Sequence, residues 1–389
     1  MKTASSTGIS STGGVVTNSG AITLEKASST GISSINGNVT NDSGATITAQ
    51  EGSSVGIYAK IAGNDDRTVR NDGTISLNTA SPVPSPVPEK SAAIYSLIDT
   101  GTGKLITTNS GTINVDQTKS VGIYAENKGA RDNSDVTNSG TINVKKESSA
   151  GILGENAKLT NTGTGTTGGI LLTAIQTVGI IGNAGSLVSN TGRIETSNVA
   201  PTKDEDGLVG ISLNASTGKN SGTITLGTEY STGMNGVAKS VLTNSGAITG
   251  NKANAVGIAV NDSTATNTKD GTIELNGLTS TGMFGKVSST IINEGKIEGT
   301  QGNAVGMAGD ASTVTNKKTI KLDGKNSTGL FGQNSSNITN ETGGTITLGE
   351  DSTGIYYKNG TSTLSGGISN DGKIESSANK VIAMTFDSD

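Results

Sequence analysis

The side chains best suited to holding a ligand are three tyrosines and three arginines. Tyr58, Tyr95 and Tyr124 each follow directly after an isoleucine at the same point of a repeat. Three of the chain's four arginines, Arg67, Arg70 and Arg131, fall in the segments just downstream. Stacked aromatic rings beside polar groups suit a sugar or a peptide. The structural alternative is a tyrosine ladder beneath tolerated loops. Side chains for covalent or acid–base chemistry are scarcer. The chain has no histidine and no cysteine, which removes Ser–His–Asp and Cys–His catalysis, most zinc sites and every disulfide. Acidic neighbours occur at Asp65–Asp66 and in KDEDG (203–207), where solvated loop charge is the plainer role. GTGTTGG (163–169) lacks the lysine of a phosphate-binding loop, and the nonapeptide calcium repeat is absent. No cofactor and no metal are therefore expected. A net charge of −5 argues against nucleic acid as a partner, and no run is apolar and long enough for a transmembrane span.

The elements that position these residues follow from a repeat. Three phenylalanines, six tyrosines and no tryptophan cannot furnish several globular cores, and 57 glycines leave a choice between disorder and a repeat protein. An asparagine recurs as Asn18, Asn41, Asn71, Asn109, Asn138, Asn161, Asn190, Asn220, Asn244, Asn267, Asn293, Asn316, Asn340 and Asn370. An isoleucine follows each, usually four residues on, as in Ile22, Ile113 and Ile248. A second apolar position comes ten residues later in most cases, from Ile32 and Ile57 to Met307 and Leu330, with Ile94, Ile211, Ile355 and Ile382 as the exceptions. The minimum period is 23 residues, the step from Asn18 to Asn41. TITL (345–348) and its cousins alternate polar and apolar residues, which is strand spacing and not helical spacing.

Three short strands per period predict an all-β, right-handed parallel β-helix of about fourteen triangular coils of 23–30 residues, with residues 1–389 as a single segment. At roughly 4.8 Å per rung, fourteen coils predict a rod on the order of 65 Å long. The asparagines are expected to stack along one corner as a hydrogen-bonded ladder. Glycines two residues after many of them, such as Gly20, Gly73 and Gly111, are expected to supply a positive φ there. In the C-terminal half the residue two after the first isoleucine alternates as Leu226, Gly250, Leu275, Gly299 and Leu322, which predicts large and small side chains stacked alternately in the core. The opening residues match KASSTGIS (26–33), so the chain begins in mid-repeat and is expected to be a segment of a longer polypeptide.

TNSGTINV (108–115 and 137–144), SVGIYAE (120–126) and STGMFG (280–285) give this repeat a family likeness. From about Ser5 to Ser377 the chain resembles the passenger repeats of large fusobacterial-type autotransporter adhesins, with the RadD-like group nearest. The resemblance implies a right-handed β-helix on the bacterial cell surface, secreted through the outer membrane by way of a β-barrel. It also implies a host-cell receptor, a glycan or the surface of other bacteria as partner. No family binding motif carries over residue by residue. The expected function is thus a surface adhesin segment and not an enzyme. The alternatives are a polysaccharide-degrading β-helix, a purely structural stalk spacer and an ice-binding solenoid. An ice-binding face needs uniform Thr-x-Thr pairs, which Arg193/Glu195, Lys296/Glu298 and Lys373/Glu375 interrupt.

Loop lengths point to the ligand. The step from the second apolar position to the next asparagine lengthens in three successive coils, Ile57 to Asn71, Ile94 to Asn109 and Ile123 to Asn138. The proline-rich SPVPSPVPEK (81–90) lies among them, and insertions on a rigid scaffold are where binding usually lives.

Overall fold

Four-residue runs set the architecture. Thr141–Val144 is typical: Ile142 and Val144 are buried while Thr141 and Asn143 face out. A strand this short, with one apolar face, is stable only when equivalent strands stack on it. In this computed structural model, which describes residues 1–78, 91–165, 168–197, 207–359 and 366–388, every pairing is parallel and joins a strand to its counterpart one coil away. Each coil contributes one strand to each of three sheets, here called A, B and C. Strands such as Val121–Asn127, Ser134–Asn138 and Thr141–Val144 belong to them in that order. The protein is an all-β solenoid whose one helical element among the described residues is a 3-10 turn at Arg131–Asn133.

The chain divides into two compact units, Met1–Val199 and Ala200–Asp389. In the first, seven coils build three seven-stranded sheets. The second has seven coils and an additional A strand, Ile382–Ser388. The core of each unit is a set of stacked isoleucine, leucine, valine and methionine columns, with Ile57, Ile94, Ile123 and Ile152 fully buried in the first unit and Ile258, Met283, Met307 and Leu330 in the second. Each such side chain contributes about 1.5–3 kcal/mol.

The asparagines stand at one corner and are stacked. In the first unit each Nδ2 donates to the Oδ1 of the next, from Asn18 to Asn41 (2.8 Å) through Asn71, Asn109, Asn138 and Asn161 to Asn190 (2.7 Å). In the second unit the same chain runs from Asn220 and Asn244 (2.8 Å) through Asn267, Asn293 and Asn316 to Asn340 and Asn370 (2.7 Å). Each backbone carbonyl at this corner also accepts amide protons from the next coil, as Asn71 does from Ser110 and Gly111.

The glycines after the asparagines are there for a different reason than a positive φ. Gly73, Gly111, Gly140, Gly192, Gly246, Gly295 and Gly372 are not among the residues with left-handed backbone. A Cβ on Gly111 would collide with the carbonyl oxygen of Gly73, and one on Gly140 with that of Gly111. The corner stacks backbone on backbone so closely that a side chain has no room. Left-handed φ falls mostly on non-glycine residues at the other corners, such as Ser28 (57°), Ser53 (55°), Lys119 (54°) and Asn156 (54°), with Gly44 (83°) among the exceptions at the asparagine corner. Just after them runs a second ladder that the asparagine period does not reveal. Here Ser29 Oγ accepts from the Ser6 amide, Ser54 Oγ from Ser29, Ser91 Oγ from Ser54 and Ser120 Oγ from Ser91.

Leu226, Gly250, Leu275, Gly299 and Leu322 do stack in register. The space above Gly299 is filled by Leu322, 2.9 Å from where a Cβ would stand, so large and small alternate as anticipated. Ile382, by contrast, is not an inward position. It pairs with Thr353, and Met384 takes the place opposite Ile355, restoring the ten-residue step from Ile374. One coil earlier Tyr357 turns inward, is buried and stacks on Phe386 at 5.5 Å and 1°.

The long steps of coils three to five are also corrected. Their extra residues lengthen strands as well as loops: Val55–Ala62, Ala92–Thr100 and Val121–Asn127 in sheet A, and five-residue strands at Arg67–Asn71, Leu105–Asn109 and Ser134–Asn138 in sheet B. Ile61, Ile98 and Leu105 add buried side chains, so the coil is widened and its core enlarged. SPVPSPVPEK (81–90) lies outside the described residues, as do Thr166 and Thr167 of GTGTTGG and all of KDEDG but its last glycine.

Two substitutions test these corners. Asn244→Ala leaves Asn220 without its acceptor and Asn267 without its donor, and is expected to lower unfolding free energy by about 1–3 kcal/mol in denaturant melts. Unchanged midpoints in several such variants would refute a buried ladder. Gly111→Ala is expected to cost about 1–3 kcal/mol by overpacking. Gly20→Ala, where nothing lies within 4 Å, should stay within about 0.5 kcal/mol of the parent. If both were equally damaging, close backbone approach would not be what demands glycine.

Candidate functional site

Parallel stacking in register turns one sequence position into a column. The residue after the inward isoleucine of sheet A gives Tyr58, Tyr95, Tyr124, Leu153 and Ile181 in order along the first unit. The residue two before it gives Val55, Ala92, Val121, Ala150 and Val178. Both columns face outward. With Lys119, Ser148, Gln176 and Glu155 at their margins, all of these residues except Tyr58 line a groove of about 640 Å³.

The three tyrosines do come together. Tyr95 and Tyr124 are stacked with ring centroids 4.8 Å apart at 17°, and Tyr58 meets Tyr95 edge-on at 5.4 Å and 64°. Their positioning group is Glu126, two residues beyond Tyr124 and therefore on the same face. Its Oε2 accepts from the Tyr95 hydroxyl at 2.5 Å and from the Tyr124 hydroxyl at 3.4 Å. Burial, then the hydrogen bond and charge of Glu126, push the Tyr95 phenol well above its ordinary range. Burial, with the charges of Glu126 and Glu155, pushes Tyr124 up to about 12. Glu155 is the register partner of Glu126 and accepts from Asn183 Nδ2 at 2.8 Å. Farther along these strands Asp99 is clamped between Lys60 (2.7 Å) and Lys128 (2.9 Å), whose hydrogen bonds hold its carboxyl down at about 2.

The arginines stand elsewhere. Arg67 and Arg70 lie in the sheet B strand Arg67–Asn71, not in a loop, and Arg131 opens the 3-10 turn between sheets A and B. None of the three lines the groove. Each binds its own surroundings: Arg67 donates to the Asn36 carbonyl (2.7 Å) and pairs with Asp65 (3.0 Å). Arg70 pairs with Asp72 (2.6 Å), and Arg131 donates to the Gly185 carbonyl two coils away (3.1 Å). The contacts to Asn36 and Gly185 brace different coils, whereas the pairs with Asp65 and Asp72 lie within one. What the tyrosine grouping lacked in the sequence was Glu126, Leu153 and Ile181. For Leu153 and Ile181 the signal was present, because the position after the inward isoleucine is an equivalent one in every coil.

The described residues contain no group of three or more Asp and Glu placed to hold a metal ion, and no helix among them is long and apolar enough to cross a membrane. A family model described as the BigA third pectate lyase-like domain matches residues 1–167 and 249–388, well over half of the chain. The match supports a β-helix surface-protein family and does not single out the RadD-like group. No curated protein matches the chain significantly.

The hydroxyl geometry has a pH consequence. A phenol whose folded pKa lies above the unfolded value of about 10 contributes stability that is present below that pH and is lost as pH rises through the folded value. Ultraviolet titration is expected to show Tyr124 ionising near 12, with Tyr95 later than a free phenol. Glu126→Gln is expected to move both downward, because the carboxylate charge that opposes phenolate formation is gone. Unmoved tyrosine titration in that variant would remove Glu126 as the positioning group.

Proposed function

The chain belongs to the BigA third pectate lyase-like domain family, and from that premise we propose that it is a binding segment of a bacterial surface protein, an adhesin passenger displayed outside the outer membrane. The observation that carries this reading is the outward groove of the first unit. Outward positions on a solenoid face water, and apolar ones cost solubility unless something covers them. Here five successive rungs present Tyr58, Tyr95, Tyr124, Leu153 and Ile181, with a parallel row of valine and alanine beside them. A spacer gains nothing from such a surface, whereas a ligand site on a rigid scaffold does.

Polysaccharide cleavage is a second reading with one observation behind it, the register pairing of Glu126 and Glu155 beside the groove. Two carboxylates are what glycoside hydrolysis requires. Each already accepts at one oxygen, Glu126 Oε2 from two phenols and Glu155 Oε1 from Asn183, which leaves an oxygen to meet a cation but no pair of free carboxylates, and we propose that the segment is not an enzyme. Nucleic acid is a poor partner for a chain of net charge −5.

The test is adhesion of the purified chain to host cells and to other bacteria, with a reducing-sugar assay alongside. The intact chain is expected to bind and to release no sugar ends. Tyr95→Ala breaks the ring stack and is expected to weaken binding about tenfold, the effect of losing a central anchor. An intact, folded chain that binds no cell would leave the spacer as the better reading, and sugar release abolished by Glu126→Gln would favour the enzyme.

A further inference from the structure

The groove's chemistry narrows its ligand, on the reading that it is the binding surface. A sugar is held by free aromatic faces and by open donors and acceptors. The tyrosines offer little of either. Tyr95 and Tyr124 cover each other's faces at 4.8 Å, Tyr58 sets its ring at 64° to that of Tyr95, and the Tyr95 and Tyr124 hydroxyls are spent on Glu126. Beyond the rings the open floor is aliphatic: Val121, Ala150, Leu153, Val178 and Ile181. The strands beneath pair with their neighbours on both sides, so the floor presents side chains and no unpaired backbone edge. A partner strand therefore cannot be added to the sheet here, and recognition runs through side chains.

Charge orients the ligand. Lys119 stands on the margin nearest the corner that precedes sheet A. Across the aliphatic floor Glu155 lines the groove, and its register partner Glu126 stands one rung away, roughly 4.8 Å along the stack and just beyond the lining. After burial, the charges of this pair are what raise the Tyr124 phenol. We propose that the groove binds a protein segment that lays aliphatic side chains on Val121, Leu153, Val178 and Ile181 and places lysine or arginine against Glu126 and Glu155. Apolar contact supplies the affinity, and the carboxylates select against acidic segments.

Three probes and two variants test this: short synthetic peptides alternating Leu and Lys, their Leu–Glu counterparts, and an array of neutral and acidic oligosaccharides. The whole chain is titrated with each by fluorescence anisotropy. The Leu–Lys peptide is expected to bind about tenfold more tightly than the Leu–Glu peptide, with no oligosaccharide bound. Leu153→Asn combined with Ile181→Asn is expected to weaken the Leu–Lys peptide about tenfold. Both residues are outward, so thermal melting should be unchanged; if it is not, Glu126→Gln with Glu155→Gln replaces that variant and is expected to abolish the preference for Lys. Equal binding of both peptides, or binding insensitive to these substitutions, overturns the proposal. Oligosaccharide binding lost in Leu153→Asn/Ile181→Asn also overturns it while keeping the groove as the binding surface. Failure of every probe, together with no adhesion to cells, overturns the binding reading itself.

Discussion

An amide side chain buried at a corner must find its hydrogen-bond partner one coil away, and the rest of this structure depends on that requirement. A desolvated, unpaired amide costs about 1–3 kcal/mol. The side-chain acceptor that recurs at the right place and height is the same amide in the next coil, beside the glycine carbonyl that the same Nδ2 meets within its own coil. Pairing it with Nδ2 to Oδ1 distances of 2.7–2.9 Å fixes the register of both units. A slip of one residue would bury polar side chains and orphan every amide at once. The glycine two residues later follows from the same closeness, since carbonyls from one coil take the space where a Cβ of the next would stand.

Register of this kind multiplies whatever a single position carries. Inward, it gives columns of isoleucine and methionine, and in the second unit the alternation of leucine and glycine that keeps the column from overpacking. Outward, it places three tyrosines on consecutive rungs and continues them as Leu153 and Ile181. No loop has to be shaped for this site. It is assembled by repetition, which fixes its spacing near one strand separation and makes its length a matter of how many coils carry an apolar residue there.

The widened coils show how the scaffold accommodates extra residues near the site. Ile61, Ile98 and Leu105 take them into the core, and Ser96 and Thr107 close a buried hydrogen bond at 2.7 Å between the enlarged faces. Arg67 and Arg131 tie their coils to others by reaching the Asn36 and Gly185 carbonyls, while Arg70 pairs with Asp72 in its own coil. None of the three lines the groove, whose margin carries Lys119 and Glu155 instead.

The sequence by itself determined the coil count, the three-strand period, the asparagine corner and the outward stacking of Tyr58, Tyr95 and Tyr124, because each is a property of spacing and the fold repeats with the sequence. The Leu226–Gly250–Leu275 alternation was legible for the same reason. Tertiary structure alone decided what spacing cannot express. The absence of positive φ at Gly73 and Gly111 depends on distances between coils, not on the order of residues within one. Ile382 looked inward because it is apolar, whereas register gave that place to Met384. The arginines shared coils with the tyrosines in sequence, but a coil has three faces, and sheet B carries Arg67 and Arg70 away from the rings on sheet A. Glu126 emerged as the group that ties the phenols only when Tyr95, 31 residues earlier, was brought beside it. A contact between coils is made across one full turn of chain, and no local pattern records which side chain waits at the other end.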